Sequence, residues 1–216
     1  MSVSSESTVG EADPPPAQDP AAAAVEVDAD AAPAPEQSTP ASSEPAACAC
    51  PSVVVHCRGG GSMYANTDRG ACTFAFPPAM CAVLGLEDGS SIDPETLLTA
   101  APQKRLSADD VYDFCAGKHE ASHACDAWTV SSCASEGRAY GVTVACMREL
   151  LPAVCEDASD CHRLGVYIEA SEAARDVNEC LCTGDTCAAC AASCSAAHPG
   201  ASSTCDRAAA AYCASP

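Results

Sequence analysis

The chain has 216 residues and a formal net charge of −20, with 30 acidic residues against 10 basic ones. Such an excess of acid argues against nucleic acid as a partner, because phosphate binding needs a basic surface. Only three Phe and one Trp accompany eighteen Cys, so large apolar side chains are too scarce to stabilise an extensive core by burial alone.

The first 47 residues hold nine of the acids, eight of the sixteen prolines, no Lys or Arg and no aromatic residue. A segment of that composition has no apolar face to bury, and residues 1–47 are expected to form a disordered acidic leader. Met1 to Gly10 carries neither the basic nor the apolar stretch of an export signal, so such a signal is expected to have been removed. A Pro-, Ala- and acid-rich leader suits a tether that holds a folded domain away from a membrane.

All the cysteines fall between Cys48 and Cys213. An even count at this density in a domain with few aromatics predicts a disulfide framework, and hence an oxidising compartment: extracellular, periplasmic or cell-surface. A reduced, thiol-based metal store is the competing reading of the same cysteines, but one CxxC unit, Cys187 to Cys190, is not the paired pattern of structural zinc modules.

In chain order, residues 53–57 (VVVHC) and 73–76 (TFAF) read as short strands, with Gly59-Gly60-Gly61 as a turn. Asp93-Pro94 starts a helix through about Leu98, since Asp caps and Pro suits the first helical position. Ser107 followed by Asp109 and Asp110 starts a longer helix, to about Asp126. Residues 141–151 and 171–180 predict two more helices, the first stopped near Pro152. From Cys180 the chain turns to Ala and Cys, and Cys187, Cys190 and Cys194 lie on one helical face. The expected fold is α+β, with few short strands followed by helices: a disulfide-rich domain over 48–179 and a Cys-rich helical hairpin over 180–216.

The helix expected after Ser107 carries His119-Glu120-Ala121-Ser122-His123. Residues four apart share a helical face, so His119 and His123 present two imidazoles to one Zn²⁺. Glu120 stands beside them as the base that takes a proton from the attacking water. His56, His162 and His198 do not follow at the spacing of a three-histidine site.

Downstream, Ala139-Tyr140-Gly141, a helix, Pro152 and Ala158-Ser159-Asp160 follow in an order that resembles the aspzincin family of secreted zinc endopeptidases, which includes deuterolysin and peptidyl-lysine metalloendopeptidase. The resemblance covers about residues 111–167. It implies a zincin-like fold, His119 and His123 as zinc ligands, Glu120 as general base, and Tyr140 as a donor to the oxyanion. The family's third ligand is an Asp three residues before the Tyr, and that position is Gly137 in this chain. Glu136 is the first candidate to replace it and Glu149, on the following helix, the second. The reading is a secreted or surface-tethered zinc endopeptidase acting on peptide or protein substrates. The alternative is a non-catalytic, disulfide-braced binding module on the same frame.

Overall fold

A computed structural model describes residues 48–58, 65–127 and 129–214. The expected leader and the turn at Gly59-Gly60-Gly61 lie outside these residues.

Four short strands form one sheet. They are β1 (Val53–His56), β2 (Asn66–Asp68), β3 (Thr73–Ala75) and β4 (Ser91–Ile92), in the order β2-β3-β1-β4. β1 and β3 run parallel with Val55 opposite Phe74, and β2 and β4 join antiparallel at the two edges. Alternation along β1 buries Val53 and Val55 and leaves Val54 and His56 outward, as a sheet covered on one face requires. Phe74 and Phe76 stack beneath it with ring centroids 5.0 Å apart.

Two short helices, α1 (Pro78–Leu84) and α2 (Pro94–Thr99), pack beside the long α3 (Ala108–Cys125). Asp93 caps α2 through the Glu95 amide. Ser107 and Asp110 form a reciprocal capping box at the start of α3, which occupies two of the amide donors a helix start leaves free. α3 runs through the middle of the fold. Ala121 and Ala124 join the cluster under the sheet, while Val111, Phe114 and Cys115 join a second cluster with α4 and α5. Gly117 permits a close crossing, since a Cβ there would lie 2.6 Å from a methyl of Leu84.

The next two helices are longer than the sequence pattern predicts. α4 spans Ser132–Val154 and includes Pro152, so the segment from Glu136 to Tyr140, which lies before the helix expected at 141–151, is helical too. Pro152 sits in the last turn, where its ring removes one hydrogen bond to a carbonyl four residues back and then the helix ends anyway. Gly137 and Gly141 look like breaks in the sequence, at about 1 kcal/mol each relative to Ala. The packing offsets this: Gly137 is buried against α5, where a Cβ would stand 3.4 Å from Glu179 Cγ. α5 spans Ala158–Cys182 behind an Asp157 cap, so Ala158-Ser159-Asp160 is its first turn and the expected helix at 171–180 is only its far end.

The C-terminal pair, α6 (Cys187–Ala197) and α7 (Ser202–Cys213), lies on α5. Ala173, Val177 and Leu181 of α5 pack against Cys190, Cys194, Cys205 and Ala209. Asp176 accepts a hydrogen bond from His198 Nε2 at 2.8 Å, fixing the turn of the pair to α5.

All eighteen cysteines are paired. Cys48–Cys125, Cys50–Cys72 and Cys57–Cys81 brace the sheet region. Cys115–Cys146 ties α3 to α4, Cys133–Cys182 ties α4 to α5, and Cys155–Cys161 closes the turn between α4 and α5. Cys180–Cys190, Cys187–Cys213 and Cys194–Cys205 staple the C-terminal pair. The framework points to an oxidising compartment, as expected. Among the described residues no helix is long and apolar enough to cross a membrane.

Candidate metal centre

α3 supplies two imidazoles and α4 a carboxylate to one spot. The Nε2 atoms of His119 and His123 are 3.1 Å apart. Glu136 Oε2 lies 3.6 Å from His119 Nε2, and its Oε1 3.4 Å from His123 Nε2. A tetrahedral zinc site with bonds of about 2.0–2.1 Å separates its ligand atoms by about 3.3 Å, so the three side chains fit that ion. His119 is 9% exposed and Glu120 8%, which keeps bulk water from competing with these groups.

The distal ring nitrogens are held by hydroxyls whose own protons are engaged elsewhere. His119 Nδ1 is 3.1 Å from Thr143 Oγ1, and Thr143 donates to the Ala139 carbonyl at 3.0 Å. His123 Nδ1 is 2.7 Å from Ser135 Oγ, and Ser135 donates to the Asp126 carboxylate. Each hydroxyl therefore accepts from the imidazole, so in its neutral form each imidazole carries the proton on Nδ1 and turns the Nε2 lone pair toward Glu136. Asp126, buried in its turn, is held by Arg138 through Nε at 3.0 Å. Such outer partners set both ring orientation and ligand basicity.

The electrostatics favour a cation at this spot. Burial opposes the charge on Glu136, but hydrogen bonds and positive charge from His119 and His123, supplied when these rings are protonated on Nε2 as well, outweigh it and hold the carboxyl far below its usual range. Burial pushes His123 down, and the Glu136 carboxylate, with Glu120 and Asp126 nearby, outweighs that and raises it. Three carboxylates thus surround two imidazoles.

A cavity of about 410 Å³ opens over the cluster, with the edge strand β2 along one side. Glu120 lines it, and the Thr67 hydroxyl of β2 lies 2.6 Å from Glu120 Oε2. Tyr140 lines it too, its ring edge-on to His119 with centroids 4.7 Å apart. Burial raises the carboxyl of Asp113, farther along the same cavity, with Asp110 and Asp109 adding to the effect.

All five residues singled out from the sequence, His119, Glu120, His123, Glu136 and Tyr140, line this one cavity. Glu149 does not; it is exposed near the far end of α4. Position 137 faces α5, so an aspartate there would meet Glu179 and not the histidines. Thr67, Ser135 and Thr143 escape a reading of the sequence, which sees Asp126 only as the end of its helix. Once α4 is drawn from residue 132, Glu136, Tyr140 and Thr143 fall at i, i+4 and i+7 on one face, so for Thr143 the missing signal is the helix boundary. A second group, Cys180, Asp185 and Cys190, also draws its atoms together, but the two sulfurs are bonded to each other and offer no thiolate.

Ser135→Ala is expected to lower zinc affinity about 10- to 100-fold, the usual cost of losing an outer-shell partner. Competition with a chromophoric chelator measures it, and unchanged affinity would show that Ser135 does not orient His123 toward the metal.

Compared with known proteins, the chain matches no protein-family model, no curated protein and no solved structure.

Proposed function

We propose that the chain is a zinc-dependent endopeptidase of zincin-like build, secreted or held at a cell surface. The observation that carries the reading is the pair of imidazoles fixed by Thr143 and Ser135 with their Nε2 atoms converging on Glu136. His119, His123 and Glu136 would hold the metal. When bound, zinc supplies a Lewis acid that polarises a peptide carbonyl and makes water a nucleophile near neutral pH.

The chain's own groups do the rest. Glu120 takes a proton from the attacking water and returns it to the departing amine, which breaks the peptide bond with charge balanced. Thr67 holds the Glu120 carboxylate in place by its 2.6 Å hydrogen bond. Tyr140 stands beside His119 and donates its phenol to the oxyanion that develops on the carbonyl. β2 forms the edge of the sheet and borders the cavity, an arrangement in which an extended peptide lies along the site. The aspzincin-like order of motifs supports the same assignment, with Glu136 in place of the family's aspartate.

Metal analysis tests the proposal directly. Protein purified without reductant is expected to carry one zinc per chain, and a chelator is expected to remove both the metal and peptide hydrolysis, with zinc restoring both. His123→Ala is expected to lack both from the start. Protein that takes up no zinc after dialysis against the metal would refute the reading and leave the disulfide-braced binding module as the account of the chain.

A further inference from the structure

The sequence alone makes the Cys-rich C-terminal pair an appendage, yet its second helix reaches the catalytic cluster. A second cavity, about 570 Å³, is lined by Ser132, Glu136 and Tyr140 of α4, Asn178 of α5, and Ala208, Ala211 and Tyr212 of α7. The first three also line the cavity over the histidines, so the two spaces adjoin at Glu136 and Tyr140. Ala208, Ala211 and Tyr212 stand at i, i+3 and i+4, one face of α7. The adjacent face, with Cys205 and Ala209, is buried with α5 and α6 residues in the C-terminal core, and Ala208 packs partly against the same cluster.

That face is unusual for this molecule. On a chain of net charge −20, α7 turns two alanines and a tyrosine toward the cluster and no ionised group. Four large hydrophobic side chains are exposed among the described residues, and two of them, Tyr112 and Tyr212, border these two adjoining cavities, one each. The wall is also held in position. Cys213, next to Tyr212, is bridged to Cys187, and Cys205 to Cys194. A surface fixed before binding loses less entropy when a ligand arrives.

We propose that α7 is one wall of the substrate cleft, where Tyr212, Ala208 and Ala211 receive an apolar side chain of a peptide whose neighbouring peptide bond lies at the His119, His123 and Glu136 cluster. This rests on the endopeptidase reading and adds a side-chain preference to it. The occupant is a peptide substrate because the groove shares Glu136 and Tyr140 with the cavity over the histidines. The chain's own leader is a poor fit, with nine acids and no aromatic residue to place beside Glu136 and Tyr212.

The test uses the full zinc-loaded chain and a mixture of denatured casein peptides, with cut sites mapped by mass spectrometry. Wild type is expected to cut next to Phe, Tyr, Leu or Met in preference to Asp, Glu or Gly. Tyr212→Ala is expected to reduce that preference about tenfold, the scale of an aromatic contact residue lost from a pocket. Tyr212→Phe is expected to retain the preference, and Ala208→Trp, which fills the groove, to abolish it. Zinc content is expected to stay at the wild-type value in all three variants. A cut map unchanged by both Tyr212→Ala and Ala208→Trp overturns the α7 wall while leaving the hydrolase standing. If wild type cuts nothing, the hydrolase reading falls, and fluorescence anisotropy of a labelled Phe-containing casein peptide on the Glu120→Gln chain decides the wall separately. Binding weakened by Ala208→Trp supports it; absent or unchanged binding overturns it.

Discussion

Glu120→Gln is expected to keep its zinc and to lose peptide hydrolysis by at least about 10²- to 10⁴-fold, the range that a positioned general base contributes. The amide is nearly the same shape as the carboxylate, and its oxygen still accepts the Thr67 hydrogen bond seen at 2.6 Å. Fold and the proposed metal ligands are therefore preserved, because His119, His123 and Glu136 are untouched. What disappears is a group basic enough to take the proton of water at neutral pH. Zinc content and kcat/KM on one peptide, measured on the same preparation, separate the two effects. Activity within tenfold of wild type would mean that another group is the base.

Replacing the α3–α4 bridge is the second large effect. In Cys115→Ala/Cys146→Ala the lost cross-link closes a sequence separation of 31 residues, and chain entropy alone assigns such a loop about 3–4 kcal/mol. Against a typical total of about 5–15 kcal/mol this is a major fraction. Both sulfurs are buried, so the loss of packing adds to it. The bridge also sits one turn from the site on both helices, four residues before His119 and three after Thr143. Releasing it is expected to lower the urea midpoint and, if the proposed centre holds zinc, to weaken zinc binding with it, since His119 and His123 stand on one of the two helices and Glu136 on the other. A midpoint equal to wild type would show that the packing of α3, α4 and α5 holds without the link.

Much of this arrangement is legible in the sequence. Ser107 with Asp110, Asp93 with Pro94, and the alternation at Val53 to His56 are local signals, and the structure has helices and a strand at those places. The histidine pair is legible for the same reason, because i and i+4 on a helix is a local relation. Two kinds of information are not local. β2 and β4 have three and two residues, too few for any periodic pattern, and their order in the sheet is fixed by long-range pairing. Thr67 and its bond to Glu120 are hidden with them. The sequence pattern cuts α4 short because Gly137, Gly141 and Pro152 weigh against a helix one residue at a time, whereas two disulfides and the close approach to α5 act on the helix as a whole. Glu136 stands out in the sequence only as the neighbour of Gly137, yet it reaches the histidines from a helix.

The nine bridges overlap in sequence as well as in space. Cys48–Cys125 encloses every bond from the first cysteine to the end of α3, Cys115–Cys146 spans the junction to α4, and Cys133–Cys182 carries the enclosure to the end of α5. Cys180–Cys190 and Cys187–Cys213 extend it to the last cysteine. No peptide bond between Cys48 and Cys213 lies outside all of these loops. A single backbone cut anywhere in that interval, by a foreign peptidase or by a second copy of this chain, severs the polypeptide without releasing a fragment. Nicked molecules would travel as one species until a reductant separates them, so damage that sheds half of an unbridged protein leaves this one in a single covalent piece.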